Sequence, residues 1–243
     1  MTGETTHISG FDPATATLFL DFDGTLVDLA EQPDAIIVPP DLGALLNTLR
    51  TRLNGRLALV TGRAIEDLRR YVPDFEGAIY ASHGACLWAD GRLVDLVQTP
   101  ENLIELSDDA RALCKDHPAL RFEGKPTGFA VHFRQAPALA ATVQATLDKI
   151  VATTDGLQVQ PAKMAFEVKA GGANKGAAVQ DAVTRFGWGD ATPWMIGDDV
   201  TDEAAFERVA HLGGFGVKVG EGDTVAVCRM TAPADVLAFL RSP

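Results

Sequence analysis

Leu18-Phe19-Leu20-Asp21-Phe22-Asp23-Gly24-Thr25-Leu26 is the stretch on which the fold turns. Its apolar entry suits a strand buried on both faces. Two carboxylates follow, one residue apart, then a glycine and a threonine. Side chains at i and i+2 leave an extended chain on the same side, so Asp21 and Asp23 are expected to share one small space. Like charges there repel unless a cation joins them or one of them holds a proton. Either outcome is chemically useful. A hard divalent cation takes oxygen ligands and suits phosphate chemistry. An ionised carboxylate beside a protonated one pairs a nucleophile with an acid. Gly24 permits a sharp turn, and Thr25 places a hydroxyl in it. Taken alone, the stretch also reads as a strand running into a polar turn.

Outward from this strand, which spans about 17–22, the pattern alternates. A loop containing Pro33, Pro39 and Pro40 precedes a helix capped by Asp41, with Leu42, Leu45, Leu46 and Leu49 on one face. A short apolar strand, Leu57 to Val60, ends at Thr61-Gly62-Arg63, and a helix follows from Ala64 to about Tyr71. A third strand, Ala78 to Ala81, ends at Ser82-His83-Gly84, and residues 87–98 read as a hairpin turning at Asp90-Gly91. This βαβαβ order predicts a parallel sheet with right-handed crossovers. Ligands of such sheets sit beyond the carboxyl ends of the strands, where Asp21 and Thr61 fall.

The texture changes near Pro100. Residues 101–117 read as a helix, 120–123 and 129–134 as strands, 137–153 as a second helix, and 157–160 with 164–168 as a second strand pair. The parallel pattern then resumes: a helix over 174–186, a strand over 192–196 ending at Gly197-Asp198-Asp199, a helix over 201–209, strands over 215–219 and 225–230, and a closing helix over 233–240. The expected fold is α/β: a doubly wound, Rossmann-like parallel sheet core of residues 1–101 and 170–243, with a small inserted α+β cap domain at 102–169.

Composition narrows the partners. Of 243 residues, 47% are hydrophobic, enough for a sizeable core, and the net charge is -12. So acidic a chain is a poor binder of nucleic acid and of anionic membranes. A small anionic molecule remains open to it if a few bases are gathered locally. Cys86, Cys114 and Cys228 are widely spaced and form no zinc pattern, which reads as reduced thiols in a cytoplasmic protein. Met1 to Pro13 lacks a basic, then apolar, leader pattern and is expected to be partly disordered. No run approaches the length of a membrane span. A monomer is expected.

Chemistry gathers at the element ends. Asp21 and Asp23 follow the first strand. Thr61 follows the second, where a hydroxyl and free amides suit a phosphate oxygen. Lys175 stands where a glycine-rich loop enters a helix, a point charge for a phosphoryl group. Asp198, Asp199 and Asp202 follow a late strand and add carboxylates for a cation. Each has a plain structural reading, as a turn, a solvated lysine or an acidic helix cap. Their joint occurrence in this order favours chemistry.

In that combination the chain resembles the phosphatases of the haloacid-dehalogenase superfamily, through Asp21/Asp23/Thr25, Thr61, Lys175 and Asp198/Asp199. Within it, the chain is similar to the trehalose-6-phosphate phosphatase family, most sharply in Gly197-Asp198-Asp199-Val200-Thr201-Asp202-Glu203-Ala204-Ala205-Phe206. Glu123-Gly124-Lys125, Val131-His132-Phe133-Arg134, Asn174-Lys175-Gly176 and Val217-Lys218-Val219-Gly220 add to the similarity, which spans about 16–241. Thr61 stands where Ser is frequent, Lys169-Ala170-Gly171-Gly172 lacks an expected Arg-Pro, and Cys86 replaces an expected acid.

The resemblance implies a Mg²⁺-dependent phosphatase hydrolysing trehalose 6-phosphate, in trehalose biosynthesis. It implies that Asp21 is the nucleophile and forms an aspartyl-phosphate, while Asp23 is first acid, then base. Mg²⁺ would be held by the Asp21 and Asp198 carboxylates and the Asp23 backbone carbonyl, with Asp202 acting through water. Thr61 and Lys175 would neutralise the phosphoryl oxygens. Gly62 and Arg63 lie in the same substrate-binding turn, Arg63 serving either the phosphoryl group or only its helix surface. Glu123, Lys125 and Glu167 match the sugar-gripping positions of a cap that closes over the site. Cross-strand ion pairing is their alternative. The roles of His83, His132 and Arg134 stay open. Another sugar phosphate, or a glycosyl-glycerate phosphate, is the alternative substrate. A catalytically silent sugar-phosphate-binding module is the alternative of another class.

Overall fold

The first strand, β1 (Ala16–Leu20), is buried along its whole length. In the computed structural model, residues 8, 10–30, 35–97, 103–125, 128–154, 156–162 and 164–242 are described. The expectations for Met1 to His7, for Pro33 in its loop, for Gln98 at the end of the hairpin and for the first two residues of the 101–117 helix lie outside those residues. After β1 come α1 (Leu42–Arg52), β2 (Leu57–Val60), α2 (Ile65–Tyr71), β3 (Ala78–Ala81), β4 (Cys86–Ala89) and β5 (Arg92–Asp95). Next are α3 (Leu103–Leu106), α4 (Asp108–Asp116), β6 (Arg121–Lys125), β7 (Gly128–His132), α5 (Ala140–Ala152), β8 (Leu157–Ala162) and β9 (Ala165–Ala170). The chain ends through α6 (Lys175–Arg185), β10 (Thr192–Gly197), α7 (Glu203–His211), β11 (Phe215–Val219), β12 (Cys228–Met230) and α8 (Pro233–Arg241).

Among the described residues, one sheet has the order β12-β11-β10-β1-β2-β3-β4-β5. From β12 to β3 every pairing is parallel, and β4 turns back antiparallel on β3. β1 lies between β2 and β10, so the chain winds outward from it in both directions. That makes the carboxyl ends of β1 and β10 the topological switch point, where such sheets bind ligands. β1 is apolar on both faces because the core lies on both sides of it. Leu18, Leu20, Leu42, Leu46, Leu49, Leu57, Leu59 and Ile196 belong to one apolar cluster. On α1 the buried Leu42, Leu46 and Leu49 repeat at helical spacing.

The chain divides into two compact units, one of Met1–Val94 with Asn174–Pro243 and one of Asp95–Ala173. The second unit has its own sheet, ordered β6-β7-β9-β8 and antiparallel throughout. Its core is separate, with Phe129, Val131, Val143, Leu147, Ile150 and Val168 at the centre.

Several details depart from the pattern reading. β1 stops at Leu20 rather than Phe22. Asp21 makes one more ladder bond, N–H to the Ile196 carbonyl at 2.9 Å, and then the chain turns at Gly24, whose φ is +74°. The expected strand over 225–230 is only Cys228–Met230. The residues before it are tied elsewhere: the Val225 N–H donates to Glu203 Oε2 at 2.9 Å, and the Gly220 and Gly222 carbonyls accept from the Arg229 guanidinium. The helix expected over 201–209 starts as a 3-10 turn at Val200–Asp202 before α7 takes over. Phe11, in the polar-looking start of the chain, packs its ring edge-on against Trp194 and Phe239.

Candidate active site

The carboxyl ends of β1 and β10 bring Asp21 and Asp198 together, and the start of α6 adds Lys175. Asn174 caps α6, its Oδ1 accepting the Ala177 N–H at 2.8 Å, which fixes Lys175 as the first helical residue. Gly176 lets α6 approach α7 closely: a Cβ there would lie 2.3 Å from the Ala204 carbonyl oxygen. Lys175 is fully enclosed, with Nζ 2.8 Å from Asp21 Oδ1 and 2.7 Å from Asp202 Oδ1. The other oxygen of Asp202 accepts the N–H groups of Asp198 at 3.1 Å and Asp199 at 2.9 Å. The Asp199 carboxylate accepts the Val200 N–H at 2.7 Å. The capping reading of this acidic run is therefore correct for Asp199 and Asp202, and Asp202 carries the ion pair as well.

Asp198 faces β1. The Thr25 hydroxyl, fully buried, donates to Asp198 Oδ1 at 3.4 Å. A Cβ on Gly24 would fall 2.1 Å from Asp198 Oδ2, so no other residue fits that turn without displacing the carboxylate.

This cluster is overcharged, with three carboxylates around one ammonium. Burial pushes the Asp21 carboxyl well above its usual range; Lys175 pulls it back, and Asp202 and Asp198 push it up further. Burial, then Asp202, pushes Asp198 up to about 6. Burial alone would favour a neutral Lys175, but the two carboxylates in contact with it hold its proton more firmly than usual. Oxygens of Asp21, Asp198 and Asp202 all lie within 4.8 Å of one another, an arrangement that could hold a metal ion. An all-oxygen donor set with surplus negative charge suits a hard divalent cation. Both Asp202 oxygens already accept hydrogen bonds, which leaves Asp21 and Asp198 as the better placed donors.

Asp23 is not in that cluster. Its two oxygens each take a 2.7 Å hydrogen bond from Nε and Nη2 of Arg63. Arg63 Nη1 reaches Asp67 at 2.8 Å, and the guanidinium stacks near the Tyr71 and Phe22 rings at 5.2 and 5.8 Å. The Arg63 side chain is only 7% exposed, so it is no helix-surface residue. Asp67 was missed in the sequence, although the i,i+4 spacing from Arg63 was the available signal.

Thr61 is fully buried, and its hydroxyl accepts the Arg63 N–H at 3.1 Å. The Thr61 and Arg63 carbonyls accept the N–H groups of His83 and Ser82, both at 2.8 Å. Ser82, His83 and Gly84 all have positive φ, and the His83 ring occupies the space where a Gly62 Cβ would lie, 2.6 Å from Cε1. His83 is thus part of the packing that shapes the 61–63 turn.

The remaining residues of interest lie in the second unit. Ala130 pairs with Glu123 on one side and Glu167 on the other, so the two acids share a sheet face. Lys125 Nζ is 3.0 Å from Glu167 Oε1, and His132 Nε2 is 2.6 Å from Glu123 Oε2. Arg134 is exposed.

A parallel sheet with its acidic cluster at the switch point, and a lysine locked into that cluster, give the chain the fold of haloacid-dehalogenase-like hydrolases, and its relatives make it a phosphatase, a phosphoric monoester hydrolase. The trehalose-phosphatase family profile matches residues 19–229. The chain is 30% identical to the trehalose-6-phosphate phosphatase of Escherichia coli, over 91% of this chain and 84% of that one. It is 32% identical to a trehalose-6-phosphate phosphatase-related protein of Thermoplasma acidophilum, over 86% and 88%. The solved structure of a trehalose-6-phosphate phosphatase related protein superposes with a TM-score of 0.74 at 28% identity, over 93% of this chain and 95% of that one. The chain belongs to the trehalose-phosphatase family. Among the described residues, no helix is long and apolar enough to cross a membrane.

Proposed function

We propose that the chain hydrolyses trehalose 6-phosphate to trehalose and phosphate through an aspartyl-phosphate, with Mg²⁺ as its metal. The observation that carries this reading is the enclosed Lys175 paired with Asp21 beside Asp198. Asp21 attacks phosphorus, the P–O bond to the sugar breaks, and Asp23 gives its proton to the leaving oxygen. Water then attacks the aspartyl-phosphate, Asp23 takes a proton from it, and phosphate leaves with Asp21 restored. The Arg63 fork suits the ionised Asp23 that exists between the two halves. Lys175 supplies positive charge, and Thr61 and Gly62 supply donors, for the phosphoryl oxygens. The Asp21 and Asp198 carboxylates and the Asp23 carbonyl would hold Mg²⁺, which supplies further charge to offset that of the phosphoryl oxygens.

Sugar recognition is assigned to the inserted unit, through Glu123, Lys125 and Glu167. Carboxylates accept paired hydrogen bonds from sugar hydroxyls. The test is phosphate release from trehalose 6-phosphate, glucose 6-phosphate and sucrose 6-phosphate, with Mg²⁺ and with chelator. Trehalose 6-phosphate should lead by a wide margin, chelator should abolish release, and Asp21→Asn should fold yet release none. Equal rates across the panel would remove the trehalose assignment, and turnover by Asp21→Asn would remove the nucleophile.

A further inference from the structure

Lys218 lies on β11, where it pairs in register with Gly197 at the end of β10. Its residue is 5% exposed, and its ammonium donates to the main-chain carbonyl of Asp198. The N–H of the same Asp198 donates to Asp202 Oδ2 at 3.1 Å. Asp198 is therefore held at both of its backbone polar groups, from one side by a carboxylate and from the other by an ammonium. Enclosing an ammonium is costly unless negative charge lies close by. Here the ammonium is directed at the main chain of a residue of the acidic cluster. A neutral donor would satisfy the carbonyl equally well, so the choice of a buried cation points to the acidic cluster. The Asp198 side chain has little latitude, with Thr25 on one oxygen and the other lying where a Cβ of Gly24 would stand. A small rotation of its peptide would swing the carboxylate out of the space it shares with Asp21.

We propose that Lys218 is a positioning residue, which holds the Asp198 corner so that the Asp198 carboxylate meets Asp21 and thereby sets the affinity of the cluster for Mg²⁺. This rests on the reading of Asp198 as a metal ligand. Residues that orient a metal ligand typically change affinity about 10–100-fold when removed.

The experiment is calorimetric titration of Mg²⁺ into the full chain and its Lys218→Met, Lys218→Arg and Asp198→Asn variants, with thermal unfolding in chelator alongside. Lys218→Met should bind Mg²⁺ about 10–100-fold more weakly, and Lys218→Arg, which keeps the charge but moves the donor, should show a smaller weakening. A merely structural lysine would lower the unfolding temperature in chelator and leave Mg²⁺ affinity unchanged, and that result would overturn the proposal. If Lys218→Met does not fold, Lys218→Arg decides: weaker Mg²⁺ binding supports the proposal and unchanged binding overturns it. If Asp198→Asn binds Mg²⁺ like the parent chain, the ligand assignment falls and the proposal with it. Loss in Asp198→Asn but not in the Lys218 variants defeats the proposal alone.

Discussion

Arg63 meets Asp23 with two parallel 2.7 Å hydrogen bonds and Asp67 with a third at 2.8 Å. A planar guanidinium is pre-shaped for such a fork, and the Phe22 and Tyr71 rings keep its plane in place. Lysine has the charge but not the fork. With one ammonium it cannot hold both Asp23 oxygens and Asp67, so Asp23 gains a freedom that the proton transfers cannot tolerate. Misplacement by about 1 Å can cost roughly 100-fold in rate. Arg63→Lys is accordingly expected to lower kcat on trehalose 6-phosphate by about that factor while KM changes little. Steady-state kinetics at saturating Mg²⁺ reads this directly. A large rise in KM with unchanged kcat would make Arg63 a substrate ligand instead, the role its place in the Thr61-Gly62-Arg63 turn first suggested.

Between elements, β3 and α6 are joined by Tyr80 and Asp181. The buried Tyr80 hydroxyl donates to Asp181 Oδ2 at 2.7 Å, and Arg185 forks onto the same carboxylate at 2.8 and 2.9 Å. Burial alone would raise the Asp181 carboxyl, but the hydrogen bonds from Arg185 and Tyr80 hold it below its usual range. A carboxylate depressed in the folded state contributes stability that is complete above its ordinary pKa, roughly 4, and is lost as pH falls through the native value. Asp181→Asn cannot titrate. Urea unfolding at pH 7 should show the variant weaker, and the gap should shrink progressively as pH falls below about 5. A gap that stays constant with pH would mean that the ionised form of Asp181 contributes nothing. The same pair illustrates what local pattern conveys. Alternating apolar strands and helices were legible because burial repeats with the period of the element. So were the strand-end positions of Asp21, Thr61 and Asp198. The partners were not: Tyr80 with Asp181, Arg63 with Asp23 and Glu203 with Val225 are distant pairings that no period encodes. The short β12 follows from this, since Val225 reads as strand but its N–H is taken by Glu203. Asp202 reads in the sequence as a helix cap or as a metal contact through water; the structure gives it the capping role, and adds a buried ion pair with Lys175 that no local pattern encodes.

Among the described residues, each unit of the molecule has an apolar cluster of its own, and the two share no residue. One is built on Leu18, Leu20, Leu42, Leu59 and Ile196, the other on Phe129, Val131, Leu147 and Val168. The chemistry-bearing Asp21, Asp23, Thr61, Lys175, Asp198 and Lys218 all belong to the first unit, and Glu123, Lys125, His132 and Glu167 to the second. An inserted unit with its own core is removable in principle, because stability depends on area buried within each unit and closing a surface loop costs little that depends on its length. Replacing the segment between β5 and α6 by a short Gly/Ser linker should therefore leave a cooperatively unfolding core. On the reading above, that core keeps the nucleophile, the acid/base and the metal ligands but loses the sugar-gripping residues. It is expected to hydrolyse an activated aryl phosphate, whose leaving group needs little help, in a Mg²⁺-dependent manner, and to show no preference for trehalose 6-phosphate over glucose 6-phosphate. The measurements are thermal unfolding and the two substrate comparisons on the excised chain. A folded core that still prefers the trehalose ester would place recognition in the first unit, in the 61–63 turn or beside it, and would reduce Lys125–Glu167 to the cross-strand ion pair that its 3.0 Å separation already makes it.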